Sequence, residues 1–181
     1  FTDSNFAMFE RDMEICEHVA KIRKDKNYPK IVLTSTGKNK KERIVEAAKV
    51  LGGAMDVRAS VQSMDIEVLK NIKRQNIDLE VIKDVAKNSI DYGLKTSTEL
   101  ILGLPGETFE SHLKSLSLSL ESGIGNIVAY NLMLLQGTEM ANDVEKFGLK
   151  TKYRVNAMDF GKLSDGTVAA EIGKVVYQTN N

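Results

Sequence analysis

Strand-like apolar runs alternate with helical sequence over most of this chain. Apolar runs begin near Lys30, Met55, Lys95 and Asn126, each is followed by a segment with helical periodicity, and a further strand ends before Phe6. Alternation of this kind is typical of a parallel sheet with right-handed crossovers. Five strands are too few for a complete eight-stranded barrel. The sequence therefore predicts a partial (β/α) barrel or an open doubly wound sheet.

The alternating pattern stops after Lys150. The remainder is polar and irregular, apart from one strand-like run around residues 174–177. We therefore expect a partial (β/α) domain over residues 1–149 and an irregular C-terminal extension over residues 150–181.

Charge and hydropathy narrow the function classes. Lys and Arg number 25 and Asp and Glu number 25, so the formal net charge is zero. Because nucleic-acid and anionic-membrane binding both need a basic surplus, neither is expected as the main activity. The apolar runs are shorter than the roughly 20 residues that a membrane helix requires. We expect a soluble protein with no membrane partner.

The single cysteine is expected to be chemically inert. Cys16 lies on the apolar face of a helix predicted from about Met8 to Lys26. One thiol can form no internal disulfide and cannot hold a metal cluster alone. The low cysteine content favours a reducing, cytoplasmic location.

A buried strand that runs into a tight loop, Thr98–Glu107, is the first candidate for a ligand site. Its apolar run ends in Gly-Leu-Pro-Gly, and ligands bind at the carboxyl ends of parallel strands. Gly103 and Gly106 lack a Cβ, so a flat ligand could approach the backbone closely. A plain strand-to-helix connection with no ligand explains the same pattern, and both interpretations stay open.

Polar residues along the strand from Met55 to Val61 are a second candidate. Arg58, Ser60 and Gln62 alternate with apolar residues, although the flanking helices should cover the outer face of this strand. The pattern therefore places these three side chains inside a barrel or in a crevice near the ligand-binding end. Gly37-Lys38 invites a phosphate-loop interpretation, which we reject because the spaced first glycine is absent and no Ser or Thr follows.

Four short motifs follow one another along the chain. They are Asp-Ser-Asn-Phe from Asp3, Ser-Val-Gln-Ser from Ser60 with Arg74 twelve residues beyond Gln62, Glu-Leu-Ile-Leu-Gly-Leu-Pro-Gly-Glu from Glu99, and Leu-Leu-Gln-Gly-Thr from Leu134. In this order they resemble the radical SAM superfamily, most closely its branch of cobalamin-binding and coproporphyrinogen-type enzymes. The resemblance covers residues 1–141 and implies a partial (β/α)6 barrel, of which this chain would supply about five strands.

The resemblance implies that S-adenosylmethionine (SAM) and a [4Fe–4S] cluster are cofactors of the full-length protein, whose reaction would be reductive cleavage of SAM to a 5'-deoxyadenosyl radical. The use of cobalamin stays open, and a small-molecule substrate is expected. Ser60 and Gln62 would contact the ribose or the methionine carboxylate, and Arg74 would pair with that carboxylate. Glu99 would accept hydrogen bonds from a ribose hydroxyl or the amino group.

The resemblance also implies an adenine wall. Ile101, Gly103 and the backbone around Leu104 would form it, because an apolar face beside free N–H and C=O groups suits a neutral heteroaromatic ring. None of the residues of this chain is assigned to catalysis or to a metal.

The chain departs from the family in one respect. It contains no Cys-x3-Cys-x2-Cys motif, and Cys16 lies on a helix rather than in a loop. The resemblance places the cluster loop upstream of Phe1. We therefore expect this chain to be part of a larger enzyme, to be inactive alone, and to self-associate through an open N-terminal edge formed by Phe1–Phe6 and the helix after it.

Two alternatives from other function classes remain. One is a parallel α/β domain that binds a phosphorylated metabolite, which a phosphate-binding loop between Ser35 and Lys41 would favour. The other is a non-catalytic interaction domain with the same fold, which would be favoured if Gln62, Arg74 and Glu99 did not converge.

Overall fold

The computed structural model describes residues 1–3, 5–36, 40–75 and 78–179. Its helices are α1 (Arg11–Lys26), α2 (Lys41–Val50), α3 (Ile66–Asn71), α4 (Leu79–Asp91), α5 (Phe109–Glu121) and α6 (Glu139–Asn142). Its strands are β1 (Val57–Arg58), β2 (Thr96–Leu102), β3 (Asn126–Asn131), β4 (Met133–Leu134), β5 (Lys150–Lys162) and β6 (Val168–Gln178).

Three strands form a sheet in the order β1-β2-β3. β1 runs parallel to β2, with Val57 opposite Thr96 and Arg58 opposite Ser97. The helices α3 and α4 connect these two strands in sequence. This arrangement confirms the predicted α/β class with parallel strand pairing.

The two strands predicted before β1 are not regular strands in the structure. Their residues form extended chain with one isolated β-bridge and single backbone hydrogen bonds. Phe6 and Thr36 form one parallel bridge, and the Val32 N–H donates to the Ala54 carbonyl at 2.9 Å. Val32 is buried, whereas Ile31 and Leu33 are 68% and 75% exposed. Because the outward-facing side chains are not packed, this segment has little to hold a regular ladder in place.

Two compact units divide the described chain. The first consists of Phe1–Val61, Asn76–Glu99 and Leu116–Val128. Its core is built around one face of α2, where Ile44 and Ala48 are fully buried. Cys16 of α1 belongs to the same core. The helical periodicity expected after the apolar run near Lys30 is therefore present in α2, which buries one face.

The second unit consists of Gln62–Gln75, Leu100–Ser115 and Ala129–Asn181. Its core contains residues from α3, from the loop after β2 and from the C-terminal strands. The buried members are Val68, Leu104, Leu132, Leu134, Leu149 and Val176. The predicted boundary near residue 150 is a different division of the chain, and it stays a prediction.

The prediction of an irregular extension after Lys150 is wrong. β5 and β6 are long antiparallel strands, and β6 also pairs with β4, giving a second sheet in the order β4-β6-β5. The strand-like run around residues 174–177 lies in β6. The remainder was missed because Tyr153, Val155 and Ile172 are more than half exposed, so the strands lack the apolar–polar alternation that marks a half-buried strand.

Local sequence explains where two helices begin. The Asp65 carboxylate accepts hydrogen bonds from the backbone N–H groups of Glu67 and Val68, and Asp78 does the same for Glu80. Both aspartates satisfy N–H groups that the first helical turn leaves without partners.

Among the described residues, no helix combines the length and the apolar character needed to span a membrane.

Candidate functional site

Parallel pairing of β1 and β2 brings a carboxylate, a guanidinium and a hydroxyl together. Arg58 Nη1 lies 3.2 Å from Glu99 Oε1, and the Ser60 hydroxyl donates to Glu99 Oε2 at 2.8 Å. Arg58 and Ser60 are two residues apart, so extended backbone turns them to the same face. Ser97, two residues before Glu99 and opposite Arg58 in the register, shares that face. We call these four residues the polar cluster.

The polar cluster is partly open to solvent. The Glu99 side chain is 24% exposed and that of Arg58 is 41% exposed. Ser97 is buried, and its hydroxyl oxygen has no hydrogen-bond partner in the part of the chain that the structure describes. A buried hydroxyl without a partner is unusual in a folded protein and marks a place where a ligand or a water molecule would fit.

The chemistry of the polar cluster suits a ligand that carries both charges. An ionised carboxylate offers about four acceptor positions on its two oxygens, and Arg58 and Ser60 each occupy one of them. The remaining positions can accept from an ammonium or a hydroxyl group. The guanidinium is a planar donor that matches a carboxylate. A hydrogen-bond acceptor next to a donor can bind the ammonium and carboxylate groups of an amino acid, or a sugar hydroxyl.

Within the second unit, the loop that follows β2 is closed on itself. The Gly103 N–H donates to Glu107 Oε2 at 2.6 Å, and the Glu107 N–H donates to the Leu104 carbonyl at 2.9 Å. Gly103 and Gly106 have φ angles of 88° and 82°, a region that glycine reaches without strain. Asn71 Nδ2 donates to the Pro105 carbonyl at 3.0 Å. These hydrogen bonds tie the loop to itself and to the last residue of α3.

Gln62 has an unusual backbone conformation. Its φ of 62° is left-handed, which is uncommon for a residue with a side chain. Gln62 forms a parallel bridge with Leu100, and its carbonyl accepts the Ile101 N–H at 2.8 Å. These contacts hold the residue in place, and strained backbone that is held in this way is found preferentially at functional sites.

The structure treats the predicted site residues differently. Ser60 and Glu99 are brought into direct contact. Arg74 follows α3 as a half-buried residue whose backbone N–H donates to the Leu69 carbonyl at 2.9 Å. Whether Gln62 and Arg74 share a site with Glu99 stays a prediction.

The residues of the predicted adenine wall make more contacts within the protein than the sequence suggested. Leu104 is 2% exposed and packs in the core of the second unit, and Ile101 is half-buried beside the same core. The Gly103 N–H and the Leu104 carbonyl already have partners inside the loop, so these two groups are not the free pair that the sequence suggested. The role of all three residues in cofactor binding stays a prediction.

The structure gives partners to three residues: Arg58, which the sequence placed near the ligand-binding end without a specific contact, and Glu107 and His112, which the sequence assigned no role. Arg58 pairs with Glu99, and Glu107 pairs with His112 Nδ1 at 2.9 Å. The alternation along β1 had already placed Arg58 on the face of Ser60. Nothing in the local sequence pointed to His112 as the partner of Glu107.

The described residues do not fit an iron–sulfur cluster. They contain no group of three or more His, Cys, Asp or Glu side chains arranged to hold a metal ion. Cys16 is the single cysteine of the sequence and is fully buried. Burial raises the pKa of its thiol from 9.0 to about 11, with smaller contributions from Asp12 and Glu17. Such a thiol is a poor metal ligand, because ligation needs the thiolate.

The phosphate-loop interpretation cannot be compared with the structure, since residues 37–39 lie outside the described ranges.

Two curated relatives are similar to most of this chain. A cobalamin-dependent radical SAM methyltransferase, TokK, from Streptomyces tokunonensis is 32% identical over 155 residues, which are 82% of this chain and 23% of TokK. A 2-(S-pantetheinyl)-carbapenam-3-carboxylate methyltransferase from Streptantibioticus cattleyicolor is 34% identical over 156 residues, again 82% of this chain and 23% of the relative. The chain thus spans about a quarter of the length of these relatives.

Solved structures of the radical SAM methyltransferase TsrM from Kitasatospora setae share the fold. One, with tryptophan substrate and the SAM analogue aza-SAM bound, has a TM-score of 0.56 at 15% identity. Another, with cobalamin and a [4Fe–4S] cluster bound, has a TM-score of 0.61 at 14% identity. Both comparisons cover 96% of this chain and 39% of TsrM.

The model of the radical SAM superfamily matches residues 1–119, about two thirds of the sequence. Enzymes of this superfamily use SAM and a [4Fe–4S] cluster. The match includes β1, β2, the polar cluster and the loop after β2. This chain belongs to the radical SAM superfamily.

Proposed function

We propose that this chain forms part of the SAM-binding core of a cobalamin-dependent radical SAM methyltransferase that acts on a small molecule. The superfamily match supports SAM binding, and the two curated relatives, both methyltransferases, support methyl transfer. The likeness to TsrM supports a partial (β/α) barrel of about five strands as the architecture. The cytoplasmic location inferred from the low cysteine content stays a prediction.

The polar cluster is the observation that carries this proposal. Glu99 has acceptor positions left for the amino group or a ribose hydroxyl of SAM, and Arg58 is a donor suited to the methionine carboxylate. The hydroxyl of buried Ser97, which has no hydrogen-bond partner among the described residues, lies on the same face. Glu99 would therefore be the partner of the ammonium group of a zwitterionic ligand, and Arg58 would be the partner of its carboxylate.

The SAM contacts that the family resemblance implies for residues of the second unit are part of the proposal as well. Gln62 would contact the ribose or the carboxylate of SAM, and Arg74 would pair with that carboxylate. Ile101 and the loop at Gly103 and Leu104 would lie against the adenine. The strained backbone of Gln62 and the fixed conformation of the loop support this assignment, because binding groups that are already ordered lose little entropy when the ligand arrives.

We further propose that the isolated chain takes up no [4Fe–4S] cluster and does not cleave SAM. Cluster ligation needs several thiolates, and Cys16 offers one buried thiol. No step of the reaction that depends on the cluster is assigned to residues of this chain.

Calorimetric titration of the folded chain with SAM tests the proposal. Replacing Glu99 with Gln (Glu99→Gln) keeps the size of the side chain and removes its charge, so we expect the Kd for SAM to rise about tenfold or more. Glu80→Gln is the matched control, because Glu80 is an exposed carboxylate that also pairs with a cation, Lys83, at 2.8 Å. A folded wild-type chain that binds no SAM, or equal effects of the two variants, would contradict the assignment.

Anaerobic treatment with iron and sulfide provides the second measurement. We expect the purified chain to remain colourless and to produce no methionine or 5'-deoxyadenosine from SAM under reducing conditions. A brown protein with about four irons per chain, the content of one [4Fe–4S] cluster, would overturn this part of the proposal.

A further inference from the structure

Glu107 is a buried carboxylate whose two oxygens hold two different parts of the structure. Its side chain is 3% exposed. One oxygen, Oε2, accepts the Gly103 N–H at 2.6 Å, and the other, Oε1, lies 2.9 Å from His112 Nδ1. An ionised carboxylate only accepts, so with Glu107 in that form the hydrogen of this contact lies on Nδ1. Glu107 therefore links the first residue of the loop to helix α5.

The partners of Glu107 are themselves fixed. At the start of α5 the Ser111 N–H donates to Thr108 Oγ1 at 3.1 Å, and the Thr108 N–H donates to Ser111 Oγ at 2.9 Å. This reciprocal pair caps the helix between Glu107 and His112. The His112 side chain is 14% exposed and contacts the Glu107 carboxylate from the capped first turn of α5.

Two further contacts fix the same loop from other elements of the second unit. The Thr179 hydroxyl, just beyond β6, donates to the Glu107 carbonyl at 3.2 Å. A Cβ built on Gly103 would lie 3.4 Å from Val176 Cγ1, so the loop backbone packs closely against β6. A buried carboxylate is unfavourable unless it is well paired, and Glu107 has a partner on each oxygen, one of which is the loop N–H of Gly103.

We propose that Glu107 and His112 are positioning residues that hold the loop Gly103–Gly106 in the conformation that receives the adenosyl part of SAM. The inference rests on the proposed function, because it takes that loop as part of the SAM site. Glu107 acts through the backbone of Gly103, and His112 acts through Glu107. Neither side chain needs to contact the ligand.

Hydrogen exchange of the Gly103 amide, measured by NMR, tests the structural half of the inference without any ligand. We expect Glu107→Ala to accelerate this exchange at least tenfold and to move the amide proton upfield, because its short hydrogen bond to a carboxylate is lost. Glu107→Gln keeps an acceptor of the same length and should fall between Glu107→Ala and wild type. His112→Asn keeps an N–H near the place of Nδ1 and should change the exchange less than His112→Ala.

SAM affinity, measured by calorimetry on the same variants, tests the functional half. We expect the Kd for SAM to rise about tenfold or more in Glu107→Ala, with partial rescue in Glu107→Gln. The control is Glu139→Gln, which removes a half-exposed carboxylate of the same unit that pairs with Lys73 at 2.7 Å and should leave the Kd unchanged.

The outcomes separate this inference from the proposed function. An altered Gly103 amide with an unchanged Kd would overturn the positioning role and leave SAM binding intact. A Gly103 amide that is the same in Glu107→Ala and wild type would overturn the loop contact itself. A wild-type chain that binds no SAM would contradict the proposed function, and with it the role of the loop towards SAM. If Glu107→Ala fails to fold, the isosteric Glu107→Gln and the His112 pair decide the question by the same two measurements.

Discussion

Glu99 and Glu107 belong to one continuous motif but have opposite surroundings. The Glu99 side chain is 24% exposed and keeps acceptor positions free of Arg58 and Ser60. The Glu107 side chain is 3% exposed and both of its oxygens are occupied by groups of the protein. The first carboxylate is therefore suited to a ligand, and the second is suited to holding the backbone that surrounds a ligand.

The buried thiol of Cys16 makes the stability of the folded chain depend on pH. Burial raises the pKa of its thiol to about 11 in the folded chain, against 9.0 for an exposed cysteine. The folded state thus holds this proton more tightly than the unfolded state does. Its contribution to stability is fully present below about pH 9 and is lost as the pH rises towards 11.

We expect wild type to lose stability relative to Cys16→Ala between pH 9 and pH 11, although the variant is less stable at neutral pH because it loses buried volume. Urea denaturation at a series of pH values measures both curves. Parallel curves over this range would refute the prediction, and so would rapid reaction of the folded thiol with a disulfide reagent at pH 8.

Among the elements, the pair β5 and β6 is held in an uneven way. Where β6 lies beside β4, Val175 and Val176 are buried and belong to a packed region. Towards the turn between the strands, Leu163 and Val168 are 54% and 70% exposed. Backbone pairing extends along both strands, and at the end beside β4 the packing of buried side chains is added to it.

Two glycines of these strands provide a matched test of that difference. A Cβ on Gly173 of β6 would lie 2.6 Å from Met133 Sδ and 3.1 Å from Met133 Cγ, whereas a Cβ on Gly161 of β5 would meet no described atom within 4 Å. We expect Gly173→Ala to lower the free energy of unfolding by about 1–3 kcal/mol, because Met133 must move. Gly161→Ala should be neutral or stabilising by about 0.5 kcal/mol.

Chemical denaturation of the two variants measures this difference. Combining Gly173→Ala with Met133→Ala is the control, because the added methyl group then has room and its cost should largely disappear. Equal effects of Gly173→Ala and Gly161→Ala would contradict the packing described for β6.

At the scale of the whole molecule, each of the two compact units has a core of its own. The chain passes between them several times, and β2 contributes residues to both. Each unit is therefore assembled from segments far apart in sequence. Assembly of this kind depends on contacts that a local sequence pattern does not specify.

Self-association through the N-terminal region stays a prediction, and the structure suggests how to test it. Ile15 and Ile22 are seven residues apart on one face of α1 and are 42% and 38% exposed, and Phe9 before the helix is 51% exposed. An apolar patch of this kind favours association. We expect light scattering to detect dimers at high concentration and Ile15→Glu to weaken them.

Ile172→Glu is the control for that experiment, because Ile172 is 63% exposed on β6 instead. A chain that stays monomeric at high concentration would refute the prediction. Dimers that Ile172→Glu disrupts and Ile15→Glu leaves intact would place the contact on the C-terminal strands.

The amino-acid sequence by itself determined the features that depend on neighbours in the chain. Helical periodicity after each apolar run indicated helices between the strands, and a bounded apolar run identified β2. The order of four short motifs was enough to predict the superfamily, which the family match confirms. These features can be predicted from the sequence because helix periodicity and turn chemistry depend on residues only a few positions apart.

Only the tertiary structure decided which side chains meet. Arg58 and Glu99 are 41 residues apart, and alternation along a strand gives the face of a side chain without naming its partner. The pairing of Glu107 with His112 depends on the path of a loop, and the strands β5 and β6 depend on hydrogen bonds to each other. Contacts of this kind depend on the whole fold. Strand register and loop geometry bring together groups whose local sequences do not indicate which partner they will contact.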